Sequence, residues 1–304
     1  MVSLSVVYIA KHSQANTNDD EGAIVHAFTE LGHTVNSIRE VVGQKAYKLP
    51  GDFALFHHWT DFAAVAKLSM PKVFWYFDLV DYPDSALRPR CDQRIAWMRK
   101  MLPLVNLGFC TDGDFAKTSE KLVNLRQGAD SRYTGAGTLG RCGLCHNPWK
   151  GTPLLFTGIS RGGGQGRMSF VEEMKSTYGD DFLHVEKNIH GRKLADLIAG
   201  SSIVVAPDHP ATNLYWSNRV YLSLGFGAFM LHPYCEGLAK HYEHGKEIVF
   251  YRSRQEIHDQ IKYYLGEPDE RKRIAANGLA RTMAEHTYTH RVAELVRVVK
   301  ERVL

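Results

Sequence analysis

Short apolar runs alternate with longer stretches of helical spacing along most of the chain. Residues 2–10 form the first run, the pattern of a parallel strand buried on both faces. After a polar stretch, Ile24, Phe28 and Leu31 fall on one helical face, with Asp19 or Asp20 placed to cap it. Gly32 ends that helix, and residues 33–38 return as a strand. The same reading gives strand 53–57, helix 61–68, strand 72–77, helix 91–102, and strands 105–110 and 121–125. Strands separated by helices predict an α/β chain with a parallel, doubly wound sheet.

Over residues 126–152 the pattern fails, and Gly, Thr and Asn dominate, as in an interdomain connection. It restarts with strand 153–157, a Gly-rich loop, helix 168–178, strand 182–185, helix 193–199 and strand 203–206. The stretch 217–232 then passes from a polar cluster through a helical apolar run to a short strand, broken at Gly225 and Gly227. Strand 247–251 and a helix opened by the capping box Ser253 to Glu256 follow, and two helices close the chain. In the last, Val292, Leu295, Val296, Val299 and Val303 make one apolar stripe. The predicted division is an N-terminal domain over 1–150, a second domain over 151–285 and a terminal helix over 286–304.

Composition changes this picture little. A length of 304 residues fits two cores, and 44% hydrophobic with 23% charged residues is ordinary for globular chains. A net charge of +4 permits an anionic partner without demanding one. No apolar run approaches the roughly 20 residues of a membrane span. The first strand lacks the basic flank and cleavage pattern of a signal peptide, so a cytoplasmic location is expected. Five scattered cysteines suit a reducing compartment. Cys142-Gly-Leu-Cys145-His146 matches a haem-attachment string, but with no export signal and no second zinc-ligand pair it reads as a loop with two thiols.

Ser217, Asn218 and Arg219 place hydroxyl, amide and guanidinium at a helix start, which suits a nucleotide diphosphate. In the loop 156–167, Ser160 and Gly163 bring the backbone close to a ligand, and Arg161 and Arg167 neutralise phosphate; the plainer alternative is a surface turn. The spacing is neither the dinucleotide fingerprint nor a P-loop. Asp78, Asp81 and Asp84 follow an apolar strand, where a carboxylate can serve as base to a hydroxyl or simply cap turns. His57 and His58 end another strand, lining a cleft outside the strand ends with Asp78 or serving structure. Arg88, Arg90, Arg94, Arg99 and Lys100 bias one helix towards positive charge, a solvated face or a contact for nucleic acid.

Arg219-Val-Tyr-Leu-Ser-Leu-Gly-Phe-Gly-Ala, then Glu236-Gly-Leu and Gly245-Lys-Glu-Ile-Val-Phe-Tyr, resembles the C-terminal half of GT-B glycosyltransferases. The similarity is greatest to the spore-maturation-type subgroup of the family-1-like enzymes, and FWYFD and Leu155-Phe-Thr-Gly resemble it too. The resemblance implies two Rossmann-like doubly wound domains facing across a cleft, with the final helix packing on the first. It implies a nucleotide-sugar, a UDP-sugar by expectation, on the second domain, with Arg219 on the diphosphate and Ser217 and Asn218 beside it. Glu247 matches the acid of the Gly-Lys-Glu turn. The glutamate that holds the donor ribose in this family falls at Leu222, so that contact is absent or comes from elsewhere, with Glu236 as the candidate. No metal or other cofactor is implied beyond the nucleotide-sugar co-substrate.

The expected function is therefore transfer of a hexosyl or pentosyl group to a hydroxyl. Arg161, Arg167 and Arg219 would stabilise the leaving diphosphate, and Asp78 would act as base, with Asp20 or His57 as substitutes. Inverting and retaining courses both stay open. By the same resemblance the expected acceptor is a hydroxymethylated pyrimidine in phage-type DNA, met by Arg90 and Arg94, or else a protein, polysaccharide precursor or small metabolite. The rival from another class is a non-catalytic two-lobed module that binds a nucleotide or sugar.

Overall fold

The computed structural model describes residues 3–11, 19–40, 45, 48–133, 151–158, 164–186, 189–207 and 212–304. Its first sheet is built from β1 (Ser5–Ala10), β2 (Thr34–Arg39), β3 (Phe53–Phe56), β4 (Lys72–Tyr76), β5 (Leu107–Cys110) and β6 (Leu122–Asn124). Helices α1 (Asp20–Glu30), α2 (Phe62–Lys67), α3 (Arg88–Met101) and the single turn α4 (Gly113–Ala116) connect them. Every pairing is parallel, in the order β2-β1-β3-β4-β5-β6. Alternation along the strands separates two cores. Val6, Tyr8, Phe53, Leu55, Val73 and Trp75 pack with α1 on one face, and Val7, Ile9, Ala54, Phe56, Phe74 and Tyr76 pack on the other. Asp19 caps α1, its carboxylate accepting from the Gly22 N–H at 3.1 Å.

The second sheet contains β7 (Thr152–Thr157), β8 (Phe182–Val185), β9 (Ser201–Val205), β10 (Met230–Pro233) and β11 (Val249–Tyr251). Around it run α5 (Gly164–Tyr178), α6 (Gly191–Ala199), α7 (Arg219–Gly225), α8 (Glu236–Ala239), α9 (Arg254–Gly266) and α10 (Pro268–Glu285). This sheet is also all parallel, ordered β11-β10-β9-β7-β8. Leu154, Phe156, Ile203, Val205 and Leu231 face one core, while Leu155 and Val204 face another. Ser253 caps α9 as its sequence predicts, accepting from the Glu256 N–H at 3.1 Å. The Glu256 carboxylate, however, closes back onto the N–H of Arg252 at 2.6 Å, one residue before the cap.

The chain ends on α11 (Tyr288–Arg302), which belongs to the first unit. Its buried Val292, Leu295, Val296 and Val299 pack with Ile24 and Phe28 of α1. Each such side chain contributes about 1.5–3 kcal/mol by leaving water. The two compact units are Met1–Gly128 with Tyr288–Leu304, and Ala129–Thr287. The division thus falls at Gly128, not at residue 150 as the composition break suggested, and at Thr287 rather than 285. The reason is backbone pairing: the Ala129 N–H bonds the His286 carbonyl at 2.8 Å, and Ala129 bridges Thr287. No helix among the described residues is long and apolar enough to cross a membrane.

Candidate active site

In an open parallel sheet, ligands gather outside the strand carboxyl ends where strand order reverses. In the second sheet β7 is followed on one side by β8 and on the other by β9, so the reversal lies between β7 and β9. Gly158 follows β7 there with φ of +144°, and a Cβ on it would stand 2.5 Å from Nη2 of Arg219. Only glycine lets that guanidinium lie against the strand end. Arg219 also stacks over the Phe156 ring, its Cζ 5.2 Å from the centroid.

Arg219 is partly buried. Desolvation first, and then the nearby positive charge of Arg167 on α5, lower its pKa from 12.5 to about 10. No carboxylate among the described residues pairs with it. A desolvated cation with a like-charged neighbour and no counter-ion is an anion site in electrostatic terms. The seven-residue α7 adds little of its own, so the guanidinium, more than the helix start, supplies the charge. Ser217 Oγ accepts from the Arg219 N–H at 3.3 Å. Asn218 precedes α7 in helical conformation and its side chain does not cap it.

His232, at the carboxyl end of β10, lies within the field of Arg219. Burial is the main cause of its lowered pKa, about 4, and the Arg219 charge adds to it. The sequence carries one signal for this residue, a polar side chain interrupting an apolar strand. Leu222, one turn on from Arg219, packs against an apolar cluster with the partly buried Val185, Ile189 and Leu194. Glu236 is exposed on α8 and pairs with Lys240 at 3.1 Å. Glu247 binds its own turn, accepting from the Glu243 N–H at 2.9 Å, with Arg281 3.6 Å away on α10. Ser160, Arg161, Gly163 and the Cys142/Cys145 pair lie outside the described residues.

In the first sheet the reversal lies between β1 and β3, and the side chains Tyr8 and His57 fill it. Tyr8 donates its hydroxyl to Nε2 of His57 at 2.5 Å, and Nδ1 of His57 donates to the Trp75 carbonyl at 2.8 Å. Burial drives the His57 pKa down to about 3, so the ring is neutral with both nitrogens committed. This corrects its place among the candidate bases: it joins two strands. Asp20 is likewise engaged, accepting from the Gln127 amide at 3.0 Å and bonded to the Tyr288 hydroxyl. That ties the start of α1 to the start of α11.

Asp78 stands apart from these. It follows β4, half-exposed, with Oδ2 3.2 Å from Nη2 of Arg94, and Oδ1 has no partner among the described residues. Arg94 also donates to the Leu79 carbonyl at 2.6 Å, so it holds the Asp78 loop and is not an outward phosphate contact. Asp112, 3% exposed, holds the same loop from β5 by accepting from the N–H groups of Val80 at 2.9 Å and Asp81 at 3.2 Å. Its other oxygen caps α4 through the Phe115 N–H at 3.0 Å. Asp112→Ala leaves the buried Val80 N–H and the part-buried Asp81 and Phe115 N–H groups without this acceptor and is expected to cost about 1–3 kcal/mol, read as a lower midpoint in denaturant unfolding. Arg88 pairs with Asp81 and Asp92, both at 2.8 Å, which together with Arg94 neutralises much of the basic bias of α3. Arg90 is exposed on that helix.

Comparison with known proteins bears on this arrangement. Residues 164–297 match a family model described as Glycosyl transferase-like. No curated protein matches the chain in sequence. Among solved structures, HepE of Anabaena in complex with UDP-glucose is similar at a TM-score of 0.61 and 13% identity, covering 98% of this chain and 100% of that one. Sucrose-phosphate synthase from Thermosynechococcus elongatus is similar at 0.66 and 10% identity, covering 98% of each chain. The α,α-trehalose 6-phosphate synthase from Burkholderia multivorans is similar at 0.61 and 11% identity, covering 99% of each. Two α/β units, each on a parallel sheet, with a glycosyl transferase-like region spanning most of the second, give this chain the architecture of the GT-B glycosyltransferases.

Proposed function

We propose that this protein is a glycosyltransferase that takes a sugar from a nucleoside diphosphate, with UDP as the nucleotide, and transfers it to a hydroxyl acceptor. The observation that carries this reading is Arg219, a desolvated cation without a carboxylate, at the strand-order reversal of the second unit. A diphosphate supplies the charge that the site lacks, and the match of residues 164–297 to glycosyl transferases points the same way. Arg167 adds positive charge from α5. HepE, a protein of similar fold, carries UDP-glucose in its crystal structure.

In the inverting form of the reaction, the acceptor oxygen bonds to the anomeric carbon as the bond from that carbon to the phosphate oxygen breaks. The nucleoside diphosphate leaves with the electron pair, held by Arg219 and Arg167. The acceptor proton passes to Asp78 Oδ1, a carboxylate oxygen without a partner among the described residues. The ion pairs on α3 leave a nucleic-acid acceptor without support. Ribose recognition by Glu236 is also without support, since that side chain is exposed and paired with Lys240.

The test is a thermal-shift series with UDP, ADP, GDP and dTDP, since a ligand bound to the folded form raises Tm, followed by assay of UDP release from UDP-sugars. A UDP-specific rise and UDP release that depends on added acceptor are expected. A rise with UDP but no turnover on any acceptor or water would favour the binding module instead.

A further inference from the structure

His232 has a second property that phosphate binding does not use. The residue is 7% exposed, and Nδ1 donates to the Pro233 carbonyl at 2.7 Å. That bond fixes the tautomer and leaves the lone pair on Nε2. No described residue hydrogen-bonds Nε2. The ring is therefore a neutral acceptor at the carboxyl end of β10, and it calls for a donor such as a hydroxyl, not for an anion.

Arg219 asks for the opposite chemistry. Its guanidinium lies at Gly158 after β7, and β10 is two strands away, roughly 10 Å along the sheet. An anion and a hydroxyl at that spacing describe a phosphate ester of a polyhydroxylated group. The two sides of Arg219 differ as well. Towards β8, His184 donates Nε2–H to the Gly158 carbonyl at 2.8 Å, and Val185, Ile189, Leu194 and Leu222 pack onto one apolar cluster. The polar acceptor stands on the other side.

We propose that Nε2 of His232 accepts a hydrogen bond from a hydroxyl of the sugar that is esterified to the diphosphate at Arg219, and so contributes to selection of the donor sugar. This rests on the proposed function, because it takes the diphosphate at Arg219 as given.

The experiment is titration calorimetry of wild type, His232→Leu, His232→Gln and His232→Asn with UDP, UDP-glucose, UDP-galactose, UDP-N-acetylglucosamine and UDP-xylose. Wild type is expected to bind one of these sugars more tightly than UDP itself. H232L should keep its UDP affinity within about twofold and lose about tenfold for that sugar, the worth of one buried hydroxyl contact. H232Q, whose amide oxygen reaches about as far as Nε2, should recover most of the loss, whereas the shorter H232N should not. The Gln and Asn pair also decides the matter if the leucine variant folds poorly. A Kd for that sugar unchanged in H232L and H232N overturns the proposal, as does a wild type that binds no UDP-sugar more tightly than UDP. If wild type fails to bind UDP at all, the phosphate reading at Arg219 has failed first, and the inference about His232 falls with it.

Discussion

Arg219→Met is expected to lower sugar transfer by about 10²–10³-fold, the effect of removing one preorganised group that stabilises charge in a transition state, while leaving the protein at least as stable. The two parts of this expectation share one cause. In the fold, desolvation and Arg167 lower the pKa of Arg219 from 12.5 to about 10. The folded state therefore disfavours the charged form. That cost is present in full below about pH 10 and is relieved only as pH rises through the folded value. At neutral pH, methionine removes it, a gain on the order of 1–3 kcal/mol once partial exposure is allowed for. Its thioether also packs well on the Phe156 ring that the guanidinium now covers. Melting curves with and without UDP check both parts. The variant should melt at or above the wild-type temperature alone, and UDP should no longer raise it. A UDP-dependent rise equal to that of wild type would remove Arg219 from the donor site.

Asp78→Asn is expected to lower kcat by about 10²–10⁴-fold, the usual range for a general base, with little change in donor affinity. Asparagine keeps the shape of the side chain and its polar contact near Arg94, 3.2 Å from Oδ2 in the wild type. The ion pair is half-exposed, so its loss costs only about 0–1 kcal/mol of stability. Activity and stability should therefore separate. Asp112→Ala makes the opposite case, losing stability through the unpaired N–H groups of Val80 and Asp81. Turnover of the Asp78→Asn protein within twofold of wild type, at unchanged UDP affinity, would show that Asp78 serves only to anchor Arg94 and its loop.

The fold was partly legible in the residues. An unbroken apolar run is a local property, so FALF and KVFWY read as buried strands and form β3 and β4. The capping box at Ser253 was visible for the same reason, since a cap and its partner lie within one turn. The domain boundary was not. It depends on Ala129 finding the backbone near His286, far along the chain. The basic helix misled in a similar way: Arg88 and Arg94 look like an exposed positive face until Asp81 and Asp78 are folded against them.

His57 shows the limit most clearly. A histidine at a strand end reads as a candidate base, and nothing in its neighbours along the chain says otherwise. Tyr8 and Trp75, which occupy both its nitrogens, come from other strands. Asp112 gave no signal of its own, because the loop it holds belongs to the preceding crossover.

By itself, then, the sequence determined that the chain is two parallel-sheet α/β units and that an arginine follows the third strand of the second unit, because hydrophobic period and helix caps are properties of neighbouring residues. Only the tertiary structure decided that Arg219 meets Gly158, that it lacks a carboxylate, and that the lone pair of His232 stays open nearby. Strand order brings β9 and β10 to the far side of β7 from β8, and burial and charge pairing follow from that order, not from spacing along the chain.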